Sequence, residues 1–432
     1  MRTILLEWEE RELPDVLPRN YQPENYLNVT PHRTLVVTGF RRVGKTYLLF
    51  GLIKKLLQTY SKKEVVYINF EDERIPTETK ILSDLLPAIQ EIWGQKPKYL
   101  FLDELQNIPD WSKWLRRIID TEEIKIVVTG SSSKMSSFEI PTELRGRSSE
   151  IQVLPLSFGE FLRFRNETVE FDKVGHLSSE KAKLYFFFDE YLTFGGLPDV
   201  VLTKEKGKKT ELLQNYFQTV VRKEIIERFD IKNQEGLKTL LLLLLNSTHF
   251  TVSKLYNNLK SLNCQIGKST LNNYLSHIES SYFLKPLFYY APSLKNRLQY
   301  PRKPYFIDNG FIYSLSTKFS KNYGRLFENF VFWQIYRKYR EDIFYHTNRF
   351  KQEVDFVIFE NNRPSILMQA SWNLDDFETR KREERSLLSL GKKLNCGKLF
   401  IVTKEKISSD NPKIEVLGIK EFFDFLNGAM FT

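Results

Sequence analysis

The chain has 432 residues, 41% hydrophobic and 27% charged, with a formal net charge of +10, a globular balance in a chain too long for one ordinary core. Its 2 cysteines, Cys264 and Cys396, stand far apart, and none of its 5 histidines falls in an HxxxH or HExxH pattern. That excludes a disulfide framework and a cysteine-based zinc site. The basic excess favours a polyanion partner. The opening segment meets Glu7, Glu9 and Glu10 too early for a signal peptide. The leucine run Leu240–Leu245 is too short to span a bilayer, so a soluble, cytoplasmic protein with no membrane partner is expected.

Residues 1–33 are polar and proline-containing, and read as a lead-in. Residues 34–160 alternate apolar runs with amphipathic stretches. The expected strands are Leu35–Thr38, Val65–Phe70, Tyr99–Asp103 and Ile126–Thr129, separated by helices in the manner of a parallel sheet covered on both faces. The first strand runs into Gly39-Phe40-Arg41-Arg42-Val43-Gly44-Lys45-Thr46 and a helix from Tyr47 leaves it. This is G-x-x-x-x-G-K-[ST] in the strand–loop–helix context that gives the pattern its meaning. The backbone from Gly39 through Arg42, Val43 and Gly44 to Tyr47 would wrap the phosphates of ATP with its N–H groups. Lys45 supplies a compact positive charge to them, and the Thr46 hydroxyl a ligand for Mg²⁺.

The third strand ends in Asp103-Glu104, at the carboxyl edge where ligands bind in open α/β sheets. Asp103 would hold Mg²⁺ through water, and Glu104 would polarise the attacking water as general base. The fourth strand ends in Gly130-Ser131-Ser132-Ser133. Ser131, with Ser132 behind it, could touch the γ-phosphate or the water, or cap the next helix. Arg147, preferred over Arg145, could act as a finger on a neighbouring subunit's nucleotide within a homo-oligomer, or be a surface charge.

Residues 161–234 read as a helical lid. In residues 235–315, the helices Thr251–Leu259 and Lys268–Ile278 and the strands Phe283–Tyr290 and Pro304–Ile307 suggest a winged helix. Lys268, Asn272 and Asn273 would face DNA from the second helix, and Lys295, Arg297, Arg302 and Lys303 from the wing. Winged helices also dock proteins. Residues 324–432 read as a second α/β unit. A helix carries Glu328, and strands near 343–347, 353–359, 365–371 and 398–403 follow, with a helix over 376–394.

Three segments carry a family resemblance: Gly39–Thr46, Phe101–Asn107 and Thr129–Ser133. With Leu144–Ser148, Leu154–Phe161, Gly195–Pro198 and Lys303–Gly310, the chain resembles the AAA+-type P-loop ATPases common in archaea and bacteria that carry a C-terminal domain of uncharacterised function. The resemblance implies ATP binding and hydrolysis and names no further substrate. The placing of Glu328, Asp355, Gln369 and Ser371 resembles a PD-(D/E)xK nuclease core. Here Gln369 stands where a metal-binding Glu is expected, and Ser371 where the lysine is expected. Gln brings no charge to a metal, which implies a degenerate nuclease fold unless Lys351 or Lys381 substitutes in space.

The expected architecture is α/β: a P-loop NTPase parallel sheet with a helical lid, a winged-helix-like module and a C-terminal restriction-endonuclease-like α/β domain. The expected output is ATP hydrolysis coupled to DNA binding or remodelling. The alternatives are a nucleotide-switched protein-binding scaffold and, disfavoured by Gln369 and Ser371, an ATP-regulated nuclease.

Overall fold

A computed structural model of the chain describes residues 1–27, 33–131, 144, 146–316, 322–409 and 411–427. Ser132, Ser133 and Arg145 lie outside these residues. Two compact units emerge. One comprises Met1–Phe164 with Leu197–Asp199 and Ser280–Tyr282; the other comprises Arg165–Gly196, Val200–Glu279 and Phe283–Thr432.

The N-terminal unit opens with α1 (Arg2–Glu10), where the sequence had suggested only a polar lead-in. Its buried residues are Leu5 and Trp8, one turn apart on a single face, and Trp8 Nε1 donates to the Val65 carbonyl at 2.9 Å. Then follow β1 (Thr34–Gly39), α2 (Lys45–Leu56), β2 (Val65–Asn69), α3 (Lys80–Ser83), α4 (Leu85–Trp93), β3 (Tyr99–Asp103), α5 (Trp111–Thr121), β4 (Lys125–Gly130), β5 (Ser148–Val153) and α6 (Phe158–Phe164). The strands form one sheet in the order β2-β3-β4-β1-β5, parallel throughout. Every residue of β1 and β3 is buried, as a parallel sheet covered on both faces requires. The strand ends Gly39, Asp103 and Gly130 therefore line one edge. The edge strand β5 escaped the sequence reading because only Ile151 and Val153 of its residues are buried.

The second unit begins with the helices α7 (Ser178–Phe194), α8 (Pro198–Leu202, its first two residues belonging to the first unit), α9 (Lys206–Thr219), α10 (Gln234–Leu245), α11 (Val252–Ser261) and α12 (Lys268–Ser280). Helix α9 runs on through a π-helical stretch, Val220–Glu227. The leucine run lies on α10, with Leu240, Leu241, Leu244 and Leu245 buried. Strands β6 (Leu284–Leu287) and β7 (Lys303–Phe306) pair antiparallel, with α13 (Leu294–Gln299) between them. The expected wing tip is thus a short helix carrying Lys295 and Arg297. Next come α14 (Asn309–Leu315), α15 (Tyr323–Tyr339), β8 (Ile343–Thr347), β9 (Glu353–Glu360), β10 (Arg363–Ala370), α16 (Phe377–Leu394), β11 (Lys398–Val402), β12 (Ile414–Leu417) and α17 (Ile419–Asn427).

A second sheet runs β12-β11-β10-β9-β8, antiparallel from β8 to β10 and parallel from β10 to β12. Leu387 and Leu390 of α16 share a core with Val354, Val357, Leu367 and Ile401 of this sheet. Among the described residues no helix is long and apolar enough to cross a membrane.

Candidate functional site

The loop between β1 and α2 is shaped by its glycines. Gly39 has φ +141, and a Cβ there would sit 2.3 Å from the Val153 carbonyl oxygen. Gly44, at φ +94, turns the chain into α2. Arg42 also has a positive φ, 70, a strained setting for a side chain that the surrounding loop must hold. Lys45 is buried and folds back over the loop. Its Nζ donates to the carbonyls of Gly39 at 3.2 Å and Phe40 at 3.4 Å and lies 3.6 Å from Glu104 Oε1. Val43 is buried, whereas Tyr47 is exposed.

Asp103 is enclosed by hydroxyl donors. Thr46 Oγ1 donates to its Oδ2 at 2.7 Å and Tyr67 OH to the same oxygen at 2.8 Å, while Thr129 Oγ1 donates to Oδ1. Burial, with Glu104 beside it, pushes the Asp103 carboxyl above its ordinary range against these donors. Glu104 goes the other way. Burial would raise it, but the Lys45 ammonium and the Gln106 amide together hold it below the usual carboxylate range. Its backbone lies in the left-handed region, φ 53, and its N–H donates to Thr129 Oγ1 at 2.9 Å. One threonine hydroxyl thus orients both acids. Gln106 Nε2 donates to Glu104 Oε2 and reaches Ser131 Oγ at 3.5 Å, so the buried Ser131 lies beside this network.

Arg147 is placed differently. It sits at the surface, paired through Nε with Asp120 Oδ1 at 2.9 Å. A cavity of about 610 Å³ opens beside Thr46, lined in part by Arg11, Glu12, Tyr47, Phe50 and Tyr67. Tyr67 lies outside every motif, and Thr129 and Gln106 lie in the segments that carry the family resemblance but had no role assigned to them. Thr129 could have been found from its position at the carboxyl end of the strand next to β3.

The residues expected to meet DNA separate. Lys268, Asn272, Asn273 and Lys295 are exposed. Arg297 donates to the Ala291 carbonyl at 2.5 Å and lies over the Phe344 ring, and Arg302 lies over the Phe288 ring. Lys303 corrects the sequence reading. It is buried and paired with Glu328, Glu353 and Asp355, because its strand turns it inward against α15 and β9. A nucleic-acid contact from it is excluded.

The C-terminal residues do converge in part. Gln369 Oε1 accepts the Asp355 N–H at 2.7 Å, and its Nε2 donates to the Glu353 carbonyl at 2.9 Å. Ser371 turns away to the Asn373 carbonyl at 3.0 Å. Lys381 lies over the exposed ring of Phe377, and Lys351 is an exposed turn residue. The lysine against Asp355 is Lys303.

Residues 31–162 match the model of an AAA domain, and 186–322 and 323–422 match two domains of unknown function. The chain is 35% identical over 401 residues to the uncharacterised protein MJ1544 of Methanocaldococcus jannaschii, covering 91% of this chain and 86% of that one. An uncharacterised protein of Haemophilus influenzae is 28% identical over 393 residues, covering 90% and 93%. Among solved structures, the Walker-type ATPase PABY2304 of Pyrococcus abyssi is similar at TM-score 0.46 and 13% identity, covering 68% of this chain and 93% of that one. The ORC1 protein of Aeropyrum pernix in complex with DNA is similar at TM-score 0.31 and 16% identity, covering 73% and 95%.

Proposed function

The chain belongs to the AAA-type P-loop ATPases, in one family with the Methanocaldococcus protein, and from that premise we propose that it hydrolyses ATP and couples the cycle to DNA bound by its C-terminal region. The observation that carries the hydrolytic half is the meeting of Lys45, Thr46, Asp103 and Glu104 at one sheet edge. Thr46 Oγ1 and Asp103 Oδ2 are a hydroxyl and a carboxylate oxygen side by side, a donor set that suits Mg²⁺. Mg²⁺ bound there would neutralise charge on the phosphate oxygens. Lys45 exchanges its carbonyl contacts for the phosphates. Glu104, held ionised, takes a proton from the attacking water through an Oε. Thr129 and Tyr67 hold Asp103 in place, and Gln106 orients Glu104.

The DNA half rests on the net charge of +10 and on the exposed Lys268, Asn272 and Asn273 of α12. A nucleotide-switched protein scaffold is the second reading. It is favoured by the loss of Lys303 from the basic set. In that reading Arg147 leaves Asp120 only if a second copy supplies a nucleotide to it. The test is phosphate release from Mg²⁺–ATP with and without duplex and single-stranded DNA, beside Glu104→Gln. Stimulation by DNA that the variant abolishes supports the first reading. Hydrolysis indifferent to DNA transfers the proposal to a protein partner. No hydrolysis at all removes the enzymatic reading.

A further inference from the structure

Lys303 opens β7, and its side chain is 4% exposed. Its ammonium stands 2.7 Å from Asp355 Oδ1, 2.7 Å from Glu353 Oε1 and 2.9 Å from Glu328 Oε1. The acids come from β9 and α15. Each carboxylate has a second polar neighbour. Tyr305 OH donates to Glu328 Oε1 at 2.7 Å, His249 Nε2 lies 3.2 Å from Glu353 Oε2, and the Ala370 N–H donates to Asp355 Oδ2 at 3.0 Å. Three carboxylate oxygens therefore converge on one point, and a lysine from another strand fills it. An ammonium has three N–H donors and no acceptor; here two of them go to Glu328 and Asp355, and Glu353 stands close by as an ion pair.

We propose that Lys303 is a tethered cation standing in a divalent-cation position, so that the C-terminal unit holds these acids together without a metal and is closed by this side chain to metal-dependent chemistry. Ca²⁺ takes carboxylate oxygens at about 2.3–2.6 Å, so the three oxygens would have to close in by only a few tenths of an ångström around an ion. Without the ammonium, three half-buried acids would face one another, and like charges at such range cannot all ionise unless a cation enters. The closure does not depend on Gln369 or Ser371.

The test uses the full chain without nucleotide. Mn²⁺ uptake is followed by its electron paramagnetic resonance, and melting is recorded with and without Mn²⁺, for wild type, Asp355→Asn, Lys303→Ala, Lys303→Met and Lys303→Ala with Asp355→Asn. The expected result is one more Mn²⁺ per chain in Lys303→Ala than in wild type, lost again with Asp355→Asn. Mn²⁺ should also raise its melting temperature by on the order of 5 °C beyond any shift seen in wild type. Should the lysine variants fail to fold without metal, refolding in Mn²⁺ carries the same test: recovery supports the proposal and its absence overturns it. The proposal also fails if neither lysine variant gains a site, or if wild type itself binds Mn²⁺ in a manner that Asp355→Asn removes.

Discussion

Arg19 lies in the lead-in, outside any motif, yet it touches the phosphate loop. Its guanidinium donates to the Val43 carbonyl at 2.8 Å, to the Leu154 carbonyl at 2.8 Å and to Glu160 Oε1 at 2.8 Å. The pair is almost wholly enclosed, with side chains 4% and 1% exposed. Glu160 also accepts the N–H groups of Asn20 at 2.7 Å and Ser157 at 2.8 Å. Arg19→Met keeps much of the aliphatic stem but strands a buried carboxylate and frees two carbonyls. Breaking one side of such a pair costs about 3–5 kcal/mol. Adding Glu160→Gln removes the stranded charge, and its one remaining acceptor oxygen serves only one of the two amides, which bond to different carboxylate oxygens in the wild type. The double variant is therefore expected to lose about 2 kcal/mol, less than the first change alone. The Val43 carbonyl loses its anchor in both variants, and nucleotide affinity should fall about tenfold in each, near 1.4 kcal/mol. Urea unfolding of wild type, both single variants and the double variant, with a fluorescent-nucleotide titration of each, measures all of this. A loss below about 1 kcal/mol for Arg19→Met, or a double variant that loses the sum of the singles, would refute the reasoning.

Thr129→Val removes the hydroxyl that orients both acids; hydrogen bonds to charged groups are worth about 2 kcal/mol, so kcat should drop about thirtyfold. The Mg²⁺ requirement should rise while nucleotide affinity holds, and phosphate release titrated with Mg²⁺ checks this. Gly195→Ala would place a Cβ 1.6 Å from Asp308 Oδ1 at φ +75, and a loss above about 3 kcal/mol is expected. Gly207→Ala, which meets nothing within 4 Å on α9, should be neutral or slightly stabilising by the same unfolding assay. Burial raises the Asp308 carboxyl to about 6, against the N–H groups of Gly196 and Gly310 that it accepts. A carboxyl raised on folding contributes stability that is complete at low pH and is lost as pH climbs from about 4 through about 6. The displacement corresponds to about 3 kcal/mol. Wild type should therefore lose ground to Asp308→Asn across that window, and a difference flat with pH would remove the assignment.

The parallel core was legible because its signals are local. Leu35–Val37 and Tyr99–Leu102 are unbroken apolar runs, and the glycine pattern between β1 and α2 fixes the loop. The contacts that set the site were less so, because they join residues far apart in the chain: Arg19 meets Glu160 across 141 positions and Tyr67 meets Asp103 across 36. Helix α1 escaped because its burial rests on Leu5 and Trp8 among exposed acids. The fourth strand is plain in the sequence, but a serine-rich end such as Ser131–Ser133 is the conspicuous polar signal there, while Thr129 within the strand makes the bonds to Asp103 and Glu104. Lys303 was misplaced for a geometric reason. The register Leu287↔Lys303 leaves Lys303 at the loop end of the pair, where a basic run reads as solvent-facing, and only the acids of α15 and β9, distant in the chain, turn it inward.

Lys45 and Lys303 are both buried lysines beside acids, and they differ in the strength of the contacts that hold them. Lys45 has three loose contacts, at 3.2, 3.4 and 3.6 Å, and two of them are neutral carbonyls. A phosphate brings charge-assisted bonds that outmatch neutral ones about twofold. Lys303 has three carboxylates at 2.7–2.9 Å, and no incoming anion could offer it more. Any ligand there would have to be a cation, and it would have to expel the ammonium first. The first lysine is placed to exchange its carbonyl partners for a phosphate, whereas the second holds β7, α15 and β9 together.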